Sequence, residues 1–156
     1  MAQDKLVVVP AQDHHLVRVA QNLRVEDRWD VRMGGIRDNL KAFREANLKG
    51  RTWAALDERE QAVAVGGVVP NEVTSEVSIW LMGTDALREH WREFARRSPQ
   101  YIDALSEIYP VMSNLVQADQ KVRIKWLKRV GFKINPMPIF IGPERAVFFK
   151  FKKERR

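Results

Sequence analysis

Residues 114–132 constrain the fold of this chain more than any other stretch. A strand-like run ends at Val116, and apolar residues then recur at every fourth position, as on one face of a helix. These apolar residues are Ala118, Val122, Trp126 and Val130. Gly131 suits the left-handed end of a helix, and Phe132 returns to the core. The stretch therefore predicts a strand, a helix and a further strand that dock on a sheet.

The preceding sheet is predicted between residues 51 and 82, where apolar runs alternate with short polar turns. The predicted strands are Arg51–Leu56, Ala62–Pro70 and 76–82, in an antiparallel meander. Gly66 and Gly67 lie inside the middle strand, which indicates either a bulge or a close approach of another backbone segment.

The remaining pattern alternates helices and short strands. Segment 25–35 has a mixed pattern, which Gly34 and Gly35 break. Ser98 and Pro99 predict the end of one helix and the start of the next, because proline suits a first helical position. Helices are predicted at 14–23 with Asp13 as the cap, at 36–46, from 86 to 98, at 99–108 and at 118–130. Further strands are predicted at 6–10, 109–116, 133–135, 139–141 and 145–151.

Composition excludes several classes of site. The chain of 156 residues has no cysteine, which excludes a disulfide framework, a thiol nucleophile and a thiolate metal site. Its three histidines show no ligand spacing, so we expect no metal.

No apolar run approaches the ~20 residues of a membrane span, and the first residues do not resemble a signal peptide, so a cytoplasmic location is expected.

The chain is basic, with 27 Lys and Arg against 20 Asp and Glu and a net charge of +7. Such an excess attracts nucleic acid, anionic lipid or phosphorylated cofactors. The alternative is a solvated basic surface without a ligand.

The order of elements resembles the GNAT acyltransferase fold, and the segment KWLKRVGF is similar to the end of the family motif N-x-x-A-x-x-[FW]-[YL]-x-x-x-G-F. The resemblance implies an α/β (α+β) fold: a mixed, mostly antiparallel twisted sheet of about six to seven strands with helices on both faces. We expect a single GNAT-like domain over 1–150 and a basic C-terminal tail over 151–156.

A narrower resemblance is carried by WLMGTDALREHWREFARRS, followed by a second helix and KWLKRVGF. These segments resemble small GNAT-like internal virion or head-morphogenesis proteins of short-tailed bacteriophages. The resemblance implies a protein partner in the virion or the host. It also implies a location in the host cytoplasm or in the virion.

The GNAT resemblance also implies a place for acetyl-CoA or CoA. The pantetheine would pair with the exposed edge of the fourth strand, and the pyrophosphate would meet backbone amides at the start of the next helix. The implied cofactor-binding residues are Ile79, Trp80, Leu81, Gly83, Thr84 and Asn114.

The sequence departs from the family at two points of this site. The loop has a single glycine, Gly83, and Asp85 brings a carboxylate to the place of the phosphates, where it would also cap the free amides. Leu127 stands where the family has a proton-donating tyrosine, and Gln120 aligns near its asparagine. Three alternatives therefore stay open for this site: it binds acetyl-CoA, it binds CoA, or it binds no cofactor.

No catalytic residue is assigned. Glu72 and Glu76 lie near the start of the fourth strand and fit solvated turn residues better than bases. Tyr109 precedes the fifth strand and fits an amphipathic core position.

Three functions remain open. The first is a GNAT-fold virion assembly, structural or host-interaction protein with a degenerate acyl-CoA site. The second is an active acyl-CoA-dependent N-acetyltransferase in which Ser78, Thr84 or Asn114 holds the cofactor. The third is a nucleic-acid-binding module that uses Lys121, Lys125 and Lys128, although Trp126 lies on the predicted buried face and is a poor stacking platform.

Overall fold

The structure is a computed structural model that describes residues 4–155. Its six helices are α1 Asp13–Gln21, α2 Val25–Met33, α3 Asn39–Lys49, α4 Ala86–Glu89, α5 Trp91–Ile108 and α6 Lys121–Arg129. Its eight strands are β1 Val7–Pro10, β2 Arg51–Leu56, β3 Ala62–Pro70, β4 Val77–Gly83, β5 Val111–Gln117, β6 Lys133–Ile134, β7 Ile139–Ile141 and β8 Ala146–Glu154.

All eight strands form one sheet in the order β1-β2-β3-β4-β5-β8-β6, with β7 also paired to β8. Every pairing is antiparallel except that of β4 with β5. The expected mixed, mostly antiparallel sheet is confirmed, with one strand more than the upper expected number. Within residues 4–155, no helix has the length and apolar character needed to cross a membrane.

Helices cover both faces of the sheet. One face packs against α1, α2 and α3 through a cluster that includes Leu16, Val31 and Phe43. The opposite face packs against α5 and α6 through Ile102 and Leu127. This arrangement leaves the junction of β4 and β5 between the two helical layers.

The meander is confirmed, with β2 and β3 at the predicted bounds. The register around Gly66 and Gly67 is regular, and the irregularity lies instead between Ala55 and Leu56. A Cβ on Gly67 would lie 1.9 Å from the Arg51 carbonyl oxygen, so the glycine serves a close backbone approach rather than a bulge.

One helix was not assigned from the sequence, and one helix break was predicted wrongly. Segment 25–35, described only as mixed, contains α2, whose most buried residue is a carboxylate, Asp27, rather than part of an apolar stripe. The predicted break at Ser98 and Pro99 does not occur, because α5 continues through Pro99. Proline lacks the N–H that would bond to the Ala95 carbonyl, and the Ser98 hydroxyl donates to that carbonyl at 3.2 Å instead.

The apolar face of α6 differs from the predicted one. Val122 is 71% exposed, whereas Leu127 and Val130 are buried. Four residues advance an α-helix by about 40° beyond a full turn, so positions at a strict four-residue spacing drift off one face. Gly131 ends the helix with a φ of +107°, as predicted.

The N-terminal cap and the C-terminal tail also need correction. Gln12 is the N-cap of α1 and Asp13 is its first residue. Strand β8 continues to Glu154, so residues 151–154 of the predicted tail belong to the sheet. These residues pair with β5, where Asn114 faces Phe151 and Val111 faces Glu154.

Candidate functional site

The cleft between β4 and β5 is the centre of the candidate site. The two strands pair only at Val77 with Met112 and at Ser78 with Ser113, and they separate beyond that point. The cleft is part of a cavity of about 800 Å³ with mainly apolar walls, which other strands and helices also line. Its polar lining residues are Asp30, Arg97, Ser98, Tyr101, Asn114 and Arg123.

Four of the six predicted cofactor-binding residues line this cleft, namely Ile79, Trp80, Leu81 and Asn114. Gly83 and Thr84 do not line it and are themselves buried. The predicted site is therefore divided into an open strand edge and a closed loop.

The Asn114 side chain bridges β4 and β5 at the point where the two strands separate. Its Nδ2 donates to the Ile79 carbonyl at 2.7 Å, and its Oδ1 accepts from the Leu115 amide at 2.8 Å. The side chain thus bonds to backbone on both strands. The Ile79 carbonyl, part of the strand edge assigned to pantetheine, already has a partner within the protein.

Two backbone amides at the end of β4 and the start of the following loop have partners within the chain. The Gly83 amide donates to the Asp27 carboxylate at 2.7 Å, and the Thr84 amide donates to the Val63 carbonyl at 2.9 Å. The segment before α2 pairs with this loop, since Leu23 forms an antiparallel bridge with Thr84. The two amides therefore have intramolecular partners where the resemblance places the pyrophosphate.

Asp85 does not have the predicted capping role. Its side chain is exposed and makes no capping hydrogen bond. The helix that it precedes, α4, has only four residues before the chain turns at His90 into α5. The buried carboxylate that accepts a hydrogen bond from the Gly83 amide is instead Asp27, which was not predicted as a site residue.

Asp27 belongs to a buried ionic cluster that joins α2 to α6. Its Oδ2 accepts from the Arg24 Nε at 2.8 Å, and its Oδ1 accepts from the Arg123 guanidinium. Arg123 also donates to Asp30. Burial, opposed by the charge of Arg123, raises the pKa of Asp30 to about 6. In the sequence, the only signal for this cluster is the three-residue spacing of Arg24, Asp27 and Asp30, which would place the three charges on one side of a helix.

Neither candidate base on the fourth strand is suited to catalysis. Glu76 accepts from the Ser113 hydroxyl at 2.7 Å, and its carboxylate lies 3.1 Å from the Lys152 ammonium. These contacts lower the pKa of Glu76 to about 2 and make it a weak base. Glu72 lies exposed in the turn before β4.

Leu127 and Tyr109, two further positions considered from the sequence, lie in or against the core. Leu127 is 3% exposed in the core, and Tyr109 is partly buried against the same cluster. Gln120 precedes α6 without a side-chain capping bond. Among residues 4–155, no three His, Asp or Glu side chains are grouped so that they could hold a metal ion.

The residues present do not fit acyl-CoA in the way that the GNAT resemblance implies. A diphosphate would have to displace an internal carboxylate from the Gly83 amide and would approach Asp27, which is 0% exposed. A charged diphosphate next to a buried carboxylate is unfavourable. The open apolar part of the cleft fits the pantetheine arm better than the loop fits the phosphates.

No family model matches the sequence, and no curated protein matches it either. Solved structures do match over nearly the whole chain. A GCN5-related N-acetyltransferase from Kribbella flavida aligns with a TM-score of 0.69 at 16% identity and covers 96% of this chain and 98% of its own.

Two further matches have the same architecture. The ribosomal-protein-S5-alanine acetyltransferase from Vibrio fischeri aligns with a TM-score of 0.70 at 10% identity, covering 99% of this chain and 96% of its own. A mutant spermidine N-acetyltransferase from Vibrio cholerae aligns with a TM-score of 0.66 at 10% identity, covering 97% and 94%. At these identities the likeness concerns the fold, and this chain has the fold of the GNAT acetyltransferases.

Proposed function

We propose that this chain is a GNAT-fold protein whose acyl-CoA site has become part of its own interior. In this proposal it acts as an assembly, structural or host-interaction protein of the phage type. The observation that carries the loss of the site is the hydrogen bond from the Gly83 amide to the buried Asp27 carboxylate. The phage context rests on the sequence resemblance of WLMGTDALREHWREFARRS.

The other contacts at the cleft support the same proposal. Asn114 bonds the Ile79 carbonyl, Leu127 cannot protonate a thiolate, and Glu76 is held ionised by Ser113 and Lys152. Each family function at these positions is replaced by a contact that stabilises the fold.

Isothermal titration with acetyl-CoA and with free CoA tests the loss of the site. We expect no heat at millimolar cofactor, while an active GNAT enzyme measured in parallel binds. Micromolar binding to this protein would overturn the proposal. The assembly role is tested by sedimentation of phage particles from the source of the chain. The protein should sediment with the particles, and its recovery only in the unsedimented fraction would contradict that role.

An active N-acyltransferase is the second candidate, and a specific observation favours it. The cavity of about 800 Å³ that includes the cleft is open, and Asp30 lines it with a pKa raised by burial to about 6. A carboxylate with this pKa is suited to accept a proton near neutral pH. Under this candidate the titration gives micromolar binding, and Asp30→Asn abolishes acetylation of an amine panel without abolishing cofactor binding.

A further inference from the structure

The outer surface of α6 and the start of β6 form a basic face of five exposed residues. We define the α6 basic face as Lys121, Lys125, Lys128, Arg129 and Lys133. Within the described part of the chain, no carboxylate lies within 4.0 Å of the charged groups of these five residues. The face therefore has a concentrated positive charge without an internal counter-charge.

The separation of charge is already present in the sequence. Between Asp119 and Glu144 the chain has six cationic residues and no acidic one. Only Arg123 among the six turns inward, where it pairs with Asp27 and Asp30. The structure thus divides the cations of α6 into one that holds the fold together and others that face solvent.

Only part of this arrangement serves the stability of α6, because Lys128 and Arg129 lie in its last turn, where the helix dipole favours cations, whereas Lys121 does not. Lys121 is the first residue of the helix, where the helix dipole disfavours a positive charge, and the first turn has no acidic residue. Lys121 and Lys125, and likewise Lys125 and Arg129, are like charges four residues apart, which repel each other. An external polyanion would relieve this repulsion.

We propose that the α6 basic face binds the phosphate backbone of nucleic acid. Lys121, Lys125 and Arg129 follow one another at about 6 Å along the helix axis. Duplex DNA carries one phosphate per strand for about every 3.4 Å of its helix axis, so a row of cations at this spacing can contact several phosphates of the backbone. This proposal does not depend on the loss of the acyl-CoA site.

The apolar residues of α6 argue for nucleic acid over a membrane surface. Leu127 is buried, and Trp126 packs against Trp91 and Phe94 while its Nε1 donates to the Ser98 hydroxyl at 2.8 Å. Val122 is the only exposed apolar residue of the helix. A helix that inserts into a membrane interface needs a bulky apolar face, whereas a phosphate backbone needs only cations.

Fluorescence anisotropy with a labelled 20-base-pair DNA duplex of mixed sequence, over 50 to 200 mM NaCl, tests the proposal. The wild-type protein should bind with an affinity that falls steeply with salt. The variant K121E/K125E/K128E should bind at least tenfold more weakly at 100 mM NaCl. Its log–log salt slope should be smaller by about 3, since each lost phosphate contact removes about one unit.

The matched control is R37E/K41E/K49E, which reverses three exposed cations on the α3 side of the sheet. Both triple variants carry the same net charge, so total charge cannot explain a difference between them. The control should keep the wild-type salt slope and an affinity within about threefold. Circular dichroism verifies the fold of each variant, and K121Q/K125Q/K128Q replaces the reversal variant if that one does not fold.

Three outcomes would overturn the proposal. The first is no binding of the duplex at 50 mM NaCl. The second is an equal loss of affinity in both triple variants, which would assign the binding to net charge rather than to this face. The third is binding to phosphatidylserine vesicles without binding to the duplex, which would assign the face to an anionic lipid surface.

Discussion

Strand β4 meets a carboxylate at each of its ends, and the two surroundings differ in their exposure to water. Glu76 lies just before β4, where its side chain is 20% exposed beside the lysines of β8. Asp27 meets the last residue of β4 from α2 and is 0% exposed. Both carboxylates have cationic partners within 4.0 Å.

The comparison shows that burial, rather than pairing alone, decides how such a cluster responds to pH. The hydrogen bonds of Ser113 and Lys152 lower the pKa of Glu76 to about 2. Asp30, in the buried cluster, also has an arginine partner, but burial outweighs it and raises the pKa to about 6. The pairing of Glu76 with Ser113 and Lys152 therefore favours the ionised form, whereas burial of Asp30 disfavours it.

Asp27→Ala removes the buried carboxylate at the end of β4 and should have the largest effect on the free energy of unfolding. It leaves Arg24 and Arg123 without this partner and leaves the Gly83 amide unsatisfied. Removing one member of a buried ion pair costs about 3–5 kcal/mol. Urea unfolding measures the loss, and Asp85→Ala in the adjoining loop should cost less than about 0.5 kcal/mol. A loss below about 1 kcal/mol for Asp27→Ala would contradict the assigned role.

Asp30→Asn tests whether burial disfavours the charged form of Asp30, because it changes how the free energy of unfolding depends on pH. Because the folded pKa of Asp30 lies above its ordinary value of 3.8, the wild-type protein is favoured below pH 3.8 and loses stability as pH rises through about 6. The asparagine variant cannot ionise and should gain on the wild type over this window, by on the order of 2 kcal/mol. Urea unfolding at intervals from pH 3.5 to 7.5 measures the difference. A difference that is constant, or that shrinks with pH, would be inconsistent with a disfavoured Asp30 charge.

Asn114→Ala tests the hydrogen bonds that join β4 to β5 at the point where the two strands separate. The variant leaves the Ile79 carbonyl and the Leu115 amide without the side-chain partner. An unsatisfied group at a partly buried site costs about 1–2 kcal/mol. Thermal and urea unfolding report the loss, with Asn135→Ala, whose side chain bonds at an exposed turn, as the control. Equal effects of the two substitutions would show that the bridge at the strand junction adds nothing.

Glu76→Gln should have the smallest effect, because its partners Lys150 and Lys152 are 42% and 37% exposed and water screens their charges. Its dependence on pH should be the opposite of that of Asp30→Asn. A folded pKa lowered to about 2 gives stability that is present above the ordinary value of 4.5 and is lost as pH falls towards 2. The wild type should therefore exceed the glutamine variant at neutral pH, and the two should converge in acid. Acid unfolding followed by circular dichroism tests this. Parallel curves down to pH 2 would mean that the contacts to Ser113 and Lys152 do not stabilise the fold.

Local patterns predicted the parts of the fold that depend on neighbouring residues. The bounds of β2 and β3 follow from apolar runs between polar turns, and Gly131 ends α6 in the predicted conformation. The α2 helix was missed because its inward face includes Asp27, a residue type whose burial is improbable without partners. Those partners, Arg123 and the Gly83 amide, are 96 and 56 residues away in the chain.

Four of the six residues that the resemblance assigned to the cofactor, Ile79, Trp80, Leu81 and Asn114, line the cleft. Their binding of a cofactor stays a prediction. The closure of the Gly83 loop depends on how α2 lies against the end of β4, and no sequence spacing encodes that contact.

From the sequence alone, the meander, most of the strands and the concentration of cations between residues 120 and 133 can be predicted, because these depend on local propensity and composition. Only the tertiary structure decided which charges became internal. Arg123 and Lys125 are two residues apart and both cationic, but Arg123 faces two carboxylates of α2 and Lys125 faces solvent. The physical reason is that burial of a charge is stable only beside a counter-charge, and the fold supplies that partner at one of the two positions.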